Sequence, residues 1–358
     1  MHLEMRAPIA FLQLGRDTFA CAQGALDAVT MPGAACASWL APRFSLDDRH
    51  PWWWQARGAP TLALLDRREW AERFPRRDAV DGLAWGAPDE GRFHAGFGTL
   101  QAHLAAGVLR KGVPITVARA PLAPRAAWPL FRQLLARVAD LPGQVVAYGL
   151  FLPGEDDREG PEFVIGASPE LLFEVEPDGV VKTMAVAGTR RVAPGSAAAL
   201  EGSAKERGEH EAVVEDLLAQ ASRWGSAERG PTEVRRFGDL QHLVTGIAVS
   251  PAAPPDFTEL VRALHPTPAL GVYPRGAAGT AWLASIDPDE ARRRFGAPFG
   301  IRWPSGAGRV AVAIRNLQYH DGHVEIWAGC GVVPESRYDA EWQELLDKIQ
   351  AVRTMWNV

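Results

Sequence analysis

Apolar residues recur along this chain in two periods, and each period predicts a different element. In 205–218, Val213, Val214, Leu217 and Leu218 return at helical spacing and give a helix one buried stripe. Helices are also predicted over 97–109, 128–139, 257–264 and 337–354. A further one is expected over 287–295, acidic at its start and basic at its end, as the helix dipole favours. Shorter apolar or alternating runs predict strands over 61–65, 113–118, 145–151, 163–166, 171–175, 180–184, 241–249, 309–318 and 323–328. Turn-forming residues fill 153–160, 193–196 and 251–255, and Asp321-Gly322 is a hairpin signal between the last two strands. Strands outnumber helices and turns are frequent, which argues for an α+β fold with large, mostly antiparallel sheets covered by helices.

Composition narrows the function classes. A chain of 358 residues can bury a large core, as two or three domains or as one large unit. The net charge of −5, without a basic block, argues against a nucleic-acid partner. Three scattered cysteines, Cys21, Cys36 and Cys330, make neither a disulfide framework nor a zinc site. The apolar run 7–14 is broken by Gly15-Arg16-Asp17, and Glu4 lies where a signal peptide would be positive. No apolar run reaches membrane-spanning length, so a cytoplasmic, soluble protein is expected. Walker, G-x-G-x-x-G, H-E-x-x-H and G-x-S-x-G patterns are absent. Residues 1–95, rich in Ala, Pro and Trp, show no chemistry; Pro51-Trp-Trp-Trp54 reads as a binding platform or as core packing.

The chemistry lies in two acidic helices. Glu206 and Glu209 are three apart, hence on one helix face, and no cation on that helix is placed to offset both. Glu341 and Glu344 repeat the device, with Lys348 four residues after Glu344. Each pair alone reads equally as a solvated helix face. Should the two faces meet, four carboxylates converge, and such an oxygen-only set favours Mg²⁺.

Six stretches then occur in a fixed order: Gly166-Ala-Ser-Pro-Glu-Leu-Leu172, Val186-Ala-Gly-Thr-Arg190, Lys205-Glu-Arg-Gly-Glu-His210, His265-Pro-Thr-Pro-Ala-Leu-Gly271, Ala328-Gly-Cys-Gly-Val-Val333 and Glu341-Trp-Gln-Glu-Leu-Leu-Asp-Lys348. Together they resemble the chorismate-utilising enzymes, which include isochorismate, anthranilate, aminodeoxychorismate and salicylate synthases. The resemblance covers 96–358 and leaves 1–95 as a variable part of the same unit. It implies two large antiparallel sheets packed together with helices outside, a site between them, chorismate as substrate and Mg²⁺ as cofactor. By match, Glu209 and Glu344 would be metal ligands, direct or through water, with Glu206 and Glu341 in support. The ion would neutralise and orient the ring carboxylate. A monomer or weak homodimer is expected.

The branches of the family differ in nucleophile. Those that add water carry a lysine base where this chain has Lys111; the amine-transferring branches lack it. Lys111 alone could equally be a surface cation at a helix end, and an offset of one residue would put Arg110, which cannot be a base, in its place. Gly112 and Pro114 also interrupt the strand expected there. Glu170 would be the acid that protonates the departing C4 hydroxyl, which requires burial. The His265-Pro-Thr-Pro-Ala269 form resembles isochorismate synthases; salicylate synthases usually carry Thr where Ala269 or Leu270 stands here. Val272-Tyr273 departs from the family pattern. Arg315, expected on a strand, matches the arginine that holds the enolpyruvyl carboxylate, and Lys348 a lysine near the ring carboxylate. Gly329 and Gly331 would admit an anion to backbone N–H groups, Gly188 and Thr189 would line the ring pocket, and His242 would lie near the substrate. Isochorismate synthase is the expected function. Salicylate synthase, an amine-transferring synthase and an inactive chorismate-binding subunit are the alternatives.

Overall fold

The computed structural model describes residues 7–56, 62–76, 82–154, 160–253 and 255–358. The middle of the expected 153–160 turn and Pro254 of the expected linker lie outside those residues, as do Glu4 and Thr61. Two large sheets carry the fold. The first has eight strands, in the order Leu62–Asp66, Thr18–Gln23, Ile9–Gln13, Val146–Leu152, Glu162–Ser168, Asn316–His320, His323–Gly329, Ile115–Pro121. The second has nine: Ala227–Phe237, Leu240–Val249, Val181–Arg191, Leu171–Val175, Gly308–Val312, Pro298–Arg302, Ser38–Leu40, Trp53–Ala56, Leu26–Val29. The pairings within both sheets are antiparallel, so the α+β expectation holds.

The sheets face each other through an apolar layer. Ala10, Leu12, Tyr148 and Val164 of the first pack with Trp39, Phe299, Ile301 and Ala311 of the second, and the Tyr148 and Phe299 rings lie 4.9 Å apart. Helices cover the outer faces. Pro124–Leu135 sets Phe131 against Phe151 and Phe163 at 5.3 and 5.4 Å. Ala204–Ala221 lies on Val181–Arg191 and buries Val213, Val214 and Leu217 completely, at ~1.5–3 kcal/mol for each such side chain.

Several expectations are corrected by tertiary context. The run 7–14 contains the strand Ile9–Gln13, buried on both faces; a central strand needs no polar alternation. Residues 287–295 form turns, not a helix: Glu290 and Arg293 have positive φ, and the Asp287 carboxylate accepts from the Ala291 and Arg292 N–H groups. The helix there is Ala277–Ile286, immediately before, whose small apolar residues carry little periodic signal. The helix expected over 97–109 spans Glu90–Ala105, capped by the Asp89 carboxylate on Arg92 N–H. The tryptophan cluster, by contrast, is the expected core packing, with Trp52 and Trp53 buried and Trp53 against Phe257. The strand expected over 309–318 is two strands. Gly308–Val312 belongs to the second sheet and Asn316–His320 to the first, and the chain crosses between them at 313–315.

Candidate functional site

The sheet crossing makes the site. Arg315 stands in the crossing, not on a strand, with φ of 55°, which turns its side chain away from either ladder's alternation. A cleft opens beside it. Of the residues expected at the site, Glu170, Thr189, Glu209, His242, Ala269, Leu270, Arg315, Gly329, Gly331 and Lys348 line it. Val186 and Ala187 of the quoted 186–190 stretch also line it, and the apolar lining of Phe295, Ile314 and Trp327 was not foreseen. Such residues look like ordinary core positions in sequence, and nothing in their spacing distinguishes them.

Lys111 is held by a ladder of its own. Lys111–Gly112 pairs with Val272–Tyr273, and Gly112 exchanges two hydrogen bonds with Val332, of 3.1 and 2.8 Å. Gly112 and Pro114 therefore end this short ladder before Ile115–Pro121 begins, and do not break a single strand. A Cβ on Gly112 would stand 2.7 Å from Leu100 Cδ1. The ladder also decides the register. Arg110 points outward, 60 % exposed, to Glu215 at 3.1 Å, whereas Lys111 is fully buried with Nζ 3.2 Å from Glu209 Oε1.

Glu170 immediately precedes Leu171–Val175 of the second sheet and is 2 % exposed. Burial pushes its carboxyl up to about 8, although Lys111, a hydrogen bond from Thr267 and Lys348 all pull the other way. The Thr267 hydroxyl donates to Oε1 at 3.3 Å. Thr267 lay within the quoted His-Pro-Thr-Pro-Ala stretch, but only the fold turns it towards Glu170. Nearby, Arg275 grips Asp216 of the acidic helix at 2.7 Å and so ties that helix to the same segment.

The two acidic helices do meet. Ser203 caps the first on Glu206 N–H. Gly188, at φ of 70°, makes a bulge in Val181–Arg191 that aims Thr189 N–H at Glu206 Oε2, 3.1 Å away. Gly188 thus supports the acidic helix and is not itself among the cleft's lining residues. Burial, then repulsion from Glu209, raises the Glu206 pKa. Burial, then Glu344, pushes Glu341 up to about 7.

One expectation about these helices fails. A cation is placed there: Lys205 Nζ lies 2.6 Å from Glu341 Oε1 and 3.4 Å from Glu206 Oε1. Burial works to lower the Lys205 pKa, but Glu209, Glu341, Glu206 and Glu344 outweigh it and raise it. Lys205 stands one turn before Glu209 on its own helix, but its principal partner, Glu341, is remote in sequence and no local spacing shows it.

The donor chemistry fits a hard divalent ion: four carboxylates from two helices, with Glu341 Oε2 buried and without a hydrogen-bond partner. Ammonium groups hold them apart, however. Among the described residues the trio with three ligand atoms within 4.8 Å of one another is Asp47, His50 and Glu290, elsewhere on the molecule, and not three of these glutamates.

The cationic side holds the remaining residues. Burial, then Arg315 and Lys348, drives His242 well below its usual pKa, so the ring is neutral. Its Nδ1 lies 3.3 Å from Gly188 O and 3.1 Å from the Thr189 hydroxyl, and Nε2 lies 3.5 Å from Arg315 Nη2. A proton on Nδ1 satisfies both ends. Burial lowers Arg315 to about 10, and among the described residues it makes no ion pair. Lys348 Nζ bonds Gly329 O at 2.7 Å and Glu344 Oε1 at 2.6 Å. The two glycines leave room for side chains: a Cβ on Gly329 would stand 2.8 Å from Val113 Cγ1, and one on Gly331 would overlap the Lys111–Glu209 pair.

Comparison with known proteins shows the family and the fold. The model of the chorismate binding enzyme family matches residues 47–354. A salicylate biosynthesis isochorismate synthase of Pseudomonas aeruginosa is 36% identical over 208 residues, 55% of this chain and 42% of that protein. Anthranilate synthase component 1 of Streptomyces coelicolor is 30% identical over 316 residues, 83% of this chain and 57% of that one. The chain spans about half the length of the curated relatives it matches. The solved structure of the menaquinone-specific isochorismate synthase of Escherichia coli superposes with a TM-score of 0.75 at 22% identity, over 98% of this chain and 88% of that one, a likeness of fold. With a family match over most of its length and that family's fold, this chain belongs to the chorismate-binding enzymes.

Proposed function

We propose that the protein converts chorismate to isochorismate, adding water at C2 and releasing the C4 hydroxyl. The observation that carries this reading is Glu170, a carboxyl in the wall of the cleft that burial keeps protonated near neutral pH. A protonated carboxyl is what a hydroxide leaving group requires. The isochorismate synthases among the relatives support the same reading.

Arg315, without an ion-pair partner among the described residues, takes the enolpyruvyl carboxylate in its planar fork. Lys348 faces the ring carboxylate from the opposite helix. His242, neutral, fixes the Arg315 guanidinium through Nε2. The apolar walls of Phe295, Ile314 and Trp327 exclude bulk water from the ring. Lys111 is the base that takes a proton from the water that forms the new C2–O bond. The ring double bonds shift as the C4–O bond breaks, and Glu170 gives its proton to the departing oxygen. One proton enters at Lys111 and one leaves at Glu170, so substrate and product are isomers. Mg²⁺ on Glu209 and Glu344, supported by Glu206 and Glu341, would neutralise the ring carboxylate and fix its orientation.

The test incubates the protein with chorismate and Mg²⁺, with EDTA or ammonium in parallel samples, and weighs the separated products. An isomer of unchanged mass, lost with EDTA and indifferent to ammonium, is expected. Salicylate with pyruvate, an aminated product, or binding without turnover would overturn the reading.

A further inference from the structure

Three ammonium groups answer the four glutamates. Lys111 Nζ stands 3.2 Å from Glu209, Lys348 Nζ 2.6 Å from Glu344, and Lys205 Nζ 2.6 Å from Glu341 and 3.4 Å from Glu206. They are not alike. Lys111 is fully buried and cannot leave without opening the ladder with Val272–Tyr273. Lys348 is also anchored to the Gly329 carbonyl. Lys205 keeps 22 % of its side chain in solvent, so its flexible stem has a way out.

Its position is unfavourable on local grounds. Lys205 is the second residue of Ala204–Ala221, where the positive end of the helix dipole repels a cation. The compensation is Glu341, 1 % exposed, whose Oε2 has no hydrogen-bond partner. A carboxylate so buried is strongly destabilising without a counter-charge. We infer that Lys205 is the counter-cation of the metal-free protein, and that a divalent ion must displace it from Glu341 and Glu206 in order to bind. Lys205 thereby sets the threshold concentration at which the ion enters. The inference rests on the metal-site reading given above.

The test needs no turnover. Mg²⁺ is titrated calorimetrically into EDTA-stripped wild-type protein and Lys205→Met, without substrate. Removing a competing charge about 3 Å from the supporting carboxylates Glu341 and Glu206 is expected to tighten Mg²⁺ binding at least about tenfold in the variant. Should Lys205→Met fold poorly, the wild-type protein serves alone. Lysine acylation mapped by mass spectrometry should rise severalfold at Lys205 when Mg²⁺ saturates the site, while Lys182, paired with Glu176 elsewhere, serves as reference. Equal or weaker affinity in the variant, or Lys205 labelling indifferent to Mg²⁺, overturns the inference and leaves the metal site standing. Absence of Mg²⁺ uptake by both proteins refutes the metal site itself, and the inference with it.

Discussion

Glu170→Gln separates stability from activity and tests the protonation state on which the mechanism depends. In the folded protein the Glu170 carboxyl titrates at about 8 against an ordinary value of 4.5. Its folded value is the higher one, so the neutral group favours folding at low pH. That contribution is complete below about 4.5 and is lost as pH rises through about 8. At ~1.4 kcal/mol per pH unit, wild type should lose about 2 kcal/mol from this residue by about pH 6, and about 2–3 kcal/mol more by about pH 8.5. Glutamine does not titrate, and its Oε1 can still accept from the Thr267 hydroxyl. The variant should therefore gain on wild type by about 2–3 kcal/mol between those two pH values. Urea unfolding at both pH values measures the difference, read from midpoints at unchanged slope. In the same protein, isochorismate formation should fall roughly 10²–10⁴-fold, as expected for a lost general acid. A stability difference between the two proteins that is flat from about pH 6 to about pH 8.5 would show that Glu170 is already ionised near neutrality and would remove the basis of its assignment.

Lys111→Gln should abolish product formation while Mg²⁺-dependent chorismate binding, followed calorimetrically, persists; unchanged turnover would refute the base assignment. Glu344→Ala should remove Mg²⁺ dependence together with activity, and turnover that still responds to EDTA would show that it is not a ligand. In Gly331→Ala the new methyl would overlap Glu209 Oε1 and crowd Lys111 Cε, 2.7 Å away, so a loss of ~1–3 kcal/mol in thermal unfolding and a large loss of activity are expected. A native-like melting temperature there would mean that the Lys111–Glu209 pair moves aside freely.

The chain by itself determined the α+β class, most of the strands after residue 96, the hairpin at Asp321-Gly322 and the two acidic helices, because these follow from local periodicity and turn chemistry. Leu171–Val175 and Phe257–Leu264 have the bounds that their patterns predict. The ordered motifs placed Glu170, Thr189, Glu209 and Lys348, single matches placed His242 and Arg315, and all of them line one cleft. Tertiary structure decided what depends on partners distant in sequence. The strands Ile9–Gln13 and Trp53–Ala56 of the unreadable first part each enter one of the two large sheets, a pairing that no local pattern encodes. Lys111 faces inward and Arg110 outward because Val272–Tyr273 fixes their ladder. Arg315 stands between sheets because consecutive strands belong to different ones, although an alternating run predicts a single strand. Lys205 meets Glu341 across 136 residues of chain, and that contact depends only on how two helices pack. Electrostatics acts through space, so its partners become visible only when the chain is folded.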